Sequence, residues 1–267
     1  MRIATLLVCV LAVSWLASCS DSSTTNTPAV ADYYKGFDKL GNYWVYQRNE
    51  IDTNGNIVTS VSATDSSWIA GIELYQGKSS SKIITMKNDA GKISYDTMYV
   101  ARNGDSLFTY MQLPSIQMLD TAAPKSQWVL LGSTTATADW TIVPTQTTTQ
   151  TMDLPIGGNN VPATITISMG VSGSHRADTT ITCANTKSYT TKAFLIKPTI
   201  SGSIKALGGL FTQPITVTGG ESKSFFADGL GLIAQIQTPT YFKVGDGSLF
   251  GQRTAGEIKT LLRYRIQ

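Results

Sequence analysis

The sequence predicts an all-β, mainly antiparallel fold, and three observations predict it. Apolar and small polar residues alternate without a break from Ala163 to Met169, the pattern of a strand with one buried and one wet face. Turn signals recur at regular spacing, two of them the pairs Asn54-Gly55 and Asn103-Gly104. Asn-Gly suits tight hairpins because both central residues take positive φ. Charged residues make up only 15% of the 267 residues, while Thr, Ser and Gly are abundant. Threonine's β-branch fits the pleat, so this composition favours strands over helices.

Taken in order, the chain opens on a short basic start, Met1-Arg2, followed by a nearly wholly apolar run from Ile3 to Val13. That is the length of a signal-peptide core and too short to span a bilayer. Leu16-Ala17-Ser18-Cys19 closes it. This stretch resembles the lipobox of bacterial lipoproteins. The resemblance implies a signal peptide over 1–18, with Leu16, Ala17 and Ser18 read by the signal peptidase and Cys19 carrying the lipid. Two or three acyl chains on Cys19 would make attachment effectively permanent, because each buried methylene contributes about 0.8 kcal/mol. Residues 19–32 are Ser, Asp, Thr, Asn, Pro and Ala with no apolar period. They read as a flexible linker with a reach of roughly 20 Å. A single β-rich domain is expected over 33–267.

Strands are expected at Tyr43–Ile51 and Ile57–Ala63 around Asn54-Gly55, then at Trp68–Tyr75, Lys82–Met86, Ile93–Ala101 and Ser106–Leu113. Such spacing reads as a meander. A short helical turn is expected at Pro114–Asp120. Strands resume at Trp128. The Thr-rich stretch from Ser133 to Thr151 reads as strand, with a polar loop as the alternative. Ala163–Met169 is expected to pair with Asp178–Ala184 across a loop at Gly170–Arg176. Tyr189–Ile200 follows, then a brief helix at Ile204–Leu207. The last strands are expected at Ile215–Thr218, Lys223–Ala227, Leu230–Thr238 and Ile258–Ile266. In the final one Leu262, Tyr264 and Ile266 should share a face.

Two further stretches carry a resemblance. Tyr33-Tyr34 and Phe37 to Trp44, with Leu40, Gly41 and Trp44 as the matching types, resemble the opening of a group of Bacteroidetes-type envelope lipoproteins of uncharacterised function. Leu40 and Gly41 are adjacent here, and Phe37 stands near the place of an expected proline. Phe225 to Ile233, containing Ala-Asp-Gly-Leu-Gly-Leu, is similar to a segment near the end of the same proteins. Its glycines suggest a turn at Asp228-Gly229 and a bulge at Gly231. The implied shape is a large curved sheet or half-open barrel, similar to periplasmic lipoprotein carriers.

Chemistry is sparse. The formal net charge of +3 falls to about +2 without Arg2, so no basic field attracts nucleic acid. Of three cysteines only Cys183 remains in the body, so no internal disulfide is available. It reads as a small buried hydrophobe. His175 is the only histidine. It sits in a Gly/Ser-rich stretch that reads as a solvated loop, and one histidine makes no His-rich metal centre. Gly170 to Ser174 lacks the closing glycine and the following helix of a nucleophile elbow. Asp52 to Asn56 starts like a calcium loop, but Ile57 and Ala63 occupy the positions that need Gly and Glu. The four glutamates, Glu50, Glu73, Glu221 and Glu257, sit in no informative motif. No cofactor is expected, and the protein is not expected to be an enzyme. Tyr43, Trp44, Tyr46, Trp68, Trp128 and Trp140 are either core or a glycan platform. The expected partners are the membrane, through lipid on Cys19, and an apolar ligand in the sheet's concavity. The alternative is a glycan or a partner protein. The chain is expected to be a monomer at the cell envelope, in the outer membrane, with the side open.

Overall fold

The computed structural model describes residues 30–89, 91–112, 126–156, 159–247 and 250–267. The expected lipid site at Leu16 to Cys19, the linker as far as residue 29 and the helical turn expected at Pro114–Asp120 lie outside these residues.

Six strands, β1 (Tyr43–Ile51), β2 (Ile57–Tyr75), β3 (Lys78–Asp89), β4 (Lys92–Asn103), β5 (Ser106–Gln112) and β6 (Ser126–Ser133), form the expected meander. Their tight turns place Gly55, Gly77, Gly91 and Gly104 at positive φ, where glycine carries no Cβ penalty. Asp52 Oδ1 accepts from the backbone N–H groups of Asn54 and Asn56, both at 2.8 Å. Those bonds hold its carboxyl below the usual range, so the apparent calcium loop is a hairpin turn. A long ribbon follows: β7 (Trp140–Ile156), β8 (Asn159–Thr182) and β9 (Ser188–Ala206). The chain closes with β10 (Phe211–Gly219), β11 (Ser222–Ala227), β12 (Gly231–Gln237), β13 (Thr240–Val244), β14 (Phe250–Thr254) and β15 (Gly256–Arg265).

The strands join into one antiparallel sheet curled as a half-barrel. The main path runs β7-β8-β9-β11-β12-β15-β1-β2-β3-β4-β5-β6. Only the first half of β9 pairs with β11; its second half pairs with β10, which carries β13 and β14. Side chains bring β6 towards β7–β9. Val129, Ile142 and Val143 cluster with Val171 and Ile196, and Trp140 Nε1 donates to the Leu130 carbonyl at 3.0 Å.

Several expectations need correction. Ile57–Ala63 and Trp68–Tyr75 are one strand, β2. The expected hairpin of Ala163–Met169 with Asp178–Ala184 does not form, because both lie on β8. The partners of Ala163–Met169 are Gln146–Met152 on β7 and Ile200–Ala206 on β9. Gly170 and Gly173 serve packing rather than turning: a Cβ on Gly173 would stand 2.2 Å from the Trp140 ring, and one on Gly170 would stand 2.8 Å from Thr145 Oγ1. His175 is therefore on a strand and half-buried, not in a solvated loop. The helix expected at Ile204–Leu207 is strand to Ala206, followed by a 3-10 turn at Leu207–Gly209. In β15 a bulge at Leu262 shifts the alternation, so Leu261 joins Tyr264 and Ile266 in the core. The bulge opposite Phe225–Phe226 falls at Ile233, not at Gly231. β13 and β14 were not expected.

Residues 32–42 plug one end of the half-barrel. Tyr34 and Phe37 are buried with Trp44, Phe194 and Phe226, their rings meeting edge-on or tilted. A 3-10 turn at Lys35–Phe37 presents them. Trp44 Nε1 donates to the Leu230 carbonyl at 2.8 Å, and the Gly229 N–H donates to the Asp32 carbonyl at 2.9 Å. Asn42 is fully buried: its Nδ2 donates to the Gly36 carbonyl and its Oδ1 accepts from the Gln267 N–H, each at 2.8 Å. Gly231, at φ 83°, leaves space for the Phe37 ring. The two stretches that carry the lipoprotein resemblance thus pack on each other.

A Cβ on Gly36 would lie 2.3 Å from the Leu230 carbonyl oxygen. Gly36→Ala should therefore lower unfolding free energy by roughly 1–3 kcal/mol in urea titration, whereas Gly55→Ala, at a tip with open space around it, pays only its positive φ.

Candidate functional site

The concavity between the plug and the open end of the half-barrel holds a cavity of about 340 Å³. This is the small end of the range for ligand sites, which lies at about 300–1,000 Å³. Strand register sets its chemistry in tiers. Side chains two apart on a strand share a face, so Ile83, Thr85 and Lys87 descend the inner face of β3. Opposite them on β2 stand Ile69, Ser67 and Asp65. Met98 and Asp96 stand opposite Ile83 and Thr85 on β4. Next to the plug the lining is apolar: Phe37, Trp44, Val100, Leu107, Phe226 and Leu232. The middle tier is hydroxylic, with Ser67 Oγ and Thr85 Oγ1 2.8 Å apart and Tyr46 donating to the Leu232 carbonyl at 2.9 Å. Burial pushes the Tyr46 hydroxyl pKa well up, so this tier stays neutral. The outermost tier is charged, with Asp65, Lys87, Asp96 and Lys259.

The charged tier is paired. Asp65, whose side chain is 1% exposed, accepts from Arg48 Nε at 3.1 Å. Lys259 Nζ stands 3.2 Å from its other oxygen, off the line a hydrogen bond needs, so that contact is an ion pair alone. Arg48 also meets Asp89 and Glu257, and Lys259 meets Glu257. Lys87 and Asp96 lie 2.6 Å apart. Arg48 and Asp89 hold each other charged: hydrogen bonding to Arg48 keeps the Asp89 carboxyl below its usual range. Asp65 and Asp96 are two carboxylates in one cavity, Asp65 engaged by Arg48 and Lys259 and Asp96 by Lys87.

Phe37, Val100 and Leu107 also border a second cavity of about 240 Å³, lined by Asp38, Ser79, Ser80, Ser81 and Arg102. Arg102 joins Asp32 at 2.9 Å and Asp38 at 2.8 Å. Burial pushes the Asp38 carboxyl up from its usual range while Arg102 opposes it.

The residues weighed in the sequence fall in several places. Trp44 and Tyr46 are core and line the cavity. Tyr43 is on the opposite face under the Arg265 guanidinium, 5.6 Å from its ring centre. Trp140 packs the approach of β6 to β8. Trp128 joins a row on the outer face that the sequence did not point out: Tyr75 stacks on Tyr99 at 3.6 Å, Tyr110 stands edge-on to Tyr75, and Trp128 meets Tyr110 at 5.5 Å. These rings stand against one another rather than side by side in one plane. Cys183 is buried and donates weakly to the Ile233 carbonyl at 3.6 Å; burial pushes its thiol pKa up. His175 lies 3.6 Å from Asp178, which also pairs with Lys192. Glu73 and Glu221 are away from the cavity lining, and Glu257 alone of the glutamates reaches the charged tier. Among the described residues no group of three or more His, Cys, Asp or Glu side chains is placed to hold a metal ion. The cavity's charged residues were missed, although a signal existed: Asp65, Lys87 and Lys259 each share strand parity with a core residue, Ile69, Ile83 and Leu261.

Removing one partner of a buried ion pair strands the other. Asp65→Ala leaves Arg48 and Lys259 facing each other and should cost about 3 kcal/mol in urea unfolding, while Asp178→Ala, a carboxylate 44% exposed, should cost under about 1 kcal/mol.

No protein-family description matches the chain, and no curated protein matches it. Two solved structures are similar in outline. One is a candidate lipoprotein from Parabacteroides distasonis, with a TM-score of 0.43 and 8% identity over 85% of this chain and 96% of that one. The other is a candidate exported protein with a YmcC-like fold from Bacteroides fragilis, with a TM-score of 0.36 and 8% identity over the same shares. Neither likeness is close enough to assign a function.

Proposed function

We propose that this is a non-enzymatic, lipid-anchored protein of the cell envelope that holds an apolar ligand inside its half-barrel. The observation that carries the reading is the cavity of about 340 Å³ with an apolar inner tier. A barrel of this kind normally fills its interior with side chains. Here the large core residues gather at the plug and leave the space beyond Met98 and Leu232 open. The anchor is supported by the run from Ile3 to Cys19, and the outer membrane is its proposed site. Binding without catalysis is supported by the pairing of Asp65 with Arg48 and Lys259 and of Asp96 with Lys87, and by a cavity lining that is made without His175 or Cys183.

The chain from Ser20 to Gln267 retains every described core residue, from Tyr34 to Ile266, and suits a soluble binding test. An environment-sensitive fluorescent fatty-acid analogue should bind it saturably at one site. Met98, 39% exposed at the cavity wall, can take a larger ring without disturbing the core. Met98→Trp should weaken binding by about tenfold or more, through loss of buried apolar area, at unchanged Tm. Unsaturable binding, or full binding by Met98→Trp, would sink the carrier reading. In cells, the full chain with Cys19→Ala should lose labelling by a clickable fatty acid; persistent labelling removes the anchor.

A further inference from the structure

We infer that the ligand is a single-chain amphiphile with a zwitterionic head group, held tail-inward with its head at the charged tier. The inference rests on the cavity reading above and adds the ligand's length, orientation and charge.

Length follows from register. Ile83 to Lys87 is four residue-to-residue steps along β3, about 13 Å at roughly 3.3 Å per step. Carbon–carbon bonds near 1.5 Å fit an extended chain of about ten carbons into that depth. The cross-section has room for one chain: Phe37, Trp44 and Phe226 close the inner end, and the volume is only about 340 Å³.

Orientation follows from the tiers. The inner end offers hydrocarbon and ring surface, so a polar head placed there would lose its water without gaining partners. The outer end offers Asp65, Lys87, Asp96, Lys259 and Gln235, where a head group stays hydrated and paired.

Charge follows from the order of strands. Near the mouth, inward side chains of alternating sign step diagonally across four successive strands: Asp65 on β2 stands opposite Lys87 on β3, Arg48 on β1 lies two residues on from Tyr46, the partner of Asp65, and Asp96 on β4, opposite Thr85, reaches across to Lys87. Lys259 on β15 flanks them. Counting Asp89 and Glu257, three cations face four carboxylates, and each cation already contacts a carboxylate. A fatty-acid carboxylate would enter a tier with a surplus of negative charge and would displace an existing pair. A head carrying both signs exchanges partners on both sides: its anion with Lys87 or Lys259, its cation with Asp96 or Asp65. Complementary potentials of this kind discriminate between ligands by opposing like charges. A lysophospholipid and a zwitterionic amino-acid lipid share this chemistry.

The test compares three probes of equal chain length on the Ser20–Gln267 protein by isothermal titration calorimetry, below micelle formation: dodecylphosphocholine, laurate and monolauroylglycerol. Dodecylphosphocholine should bind one to one and about tenfold tighter than either of the others. The exposed pair variant Lys87→Ala with Asp96→Ala should erase that preference and leave laurate within about threefold of its wild-type affinity. Laurate or monolauroylglycerol binding as tightly as dodecylphosphocholine, with binding still lost in Met98→Trp, overturns the head-group inference and leaves the cavity reading standing. Failure of all three probes to bind overturns both.

Discussion

The close approach of the N-terminal segment to the β11–β12 turn is the contact on which the rest of this structure depends. The Trp44 indole and the Leu230 carbonyl meet at 2.8 Å across 186 residues of sequence, and Gly36 is glycine because Leu230 leaves no room for a side chain. A curled sheet with so many strands needs something to stop its interior. Tyr34 and Phe37 do this at one end, against Phe226 and Trp44, and Asn42 ties the same end to the last residue of the chain. With the aromatic bulk gathered there, the space beyond it stays open.

The curvature has a local origin. Bulges interrupt the ladders between β1 and β15, β2 and β3, β5 and β6, and β11 and β12, and each adds twist at one strand. A further irregularity lies between β8 and β9 at Arg176–Thr179, and glycines at 132 and 173 make room for the Phe194 and Trp140 rings. At the mouth a hydrophobic interior gives way to an ion network centred on Asp65. Such a network adds little net stability, since desolvation offsets the attraction, but it fixes which charges face the cavity.

Much of this was legible in the sequence. The meander from Tyr43 to Gln112 could be read because each hairpin ends in a glycine at a turn tip, and the alternation at Ala163–Met169 gave a true strand. Cys183 is core as its pattern suggests, and Trp44, open in the sequence between core and a glycan platform, is core as well. The largest loss has a simple cause: a glycine that makes space for a neighbouring side chain is spelled like a glycine that turns the chain. Gly170 and Gly173 therefore suggested a loop, cut β8 in two and put His175 in water. Bulges are equally silent, so Leu261 was passed over for Leu262. The plug has no period, because a 3-10 turn and its flanks follow neither template. The charged tier is assembled from strands far apart in sequence. Its only local trace was a charge on a core-facing parity.

Hydrogen–deuterium exchange of the Ser20–Gln267 protein, followed by mass spectrometry, tests the central contact most directly. If the plug is integral to the half-barrel, amides of residues 34–46 and 226–234 should open together and only with the sheet, at the slowest exchange in the protein. Fast exchange of residues 34–42 while β11, β12 and β15 stay protected would show a separable N-terminal arm, and would contradict the account of how the cavity is closed and held open.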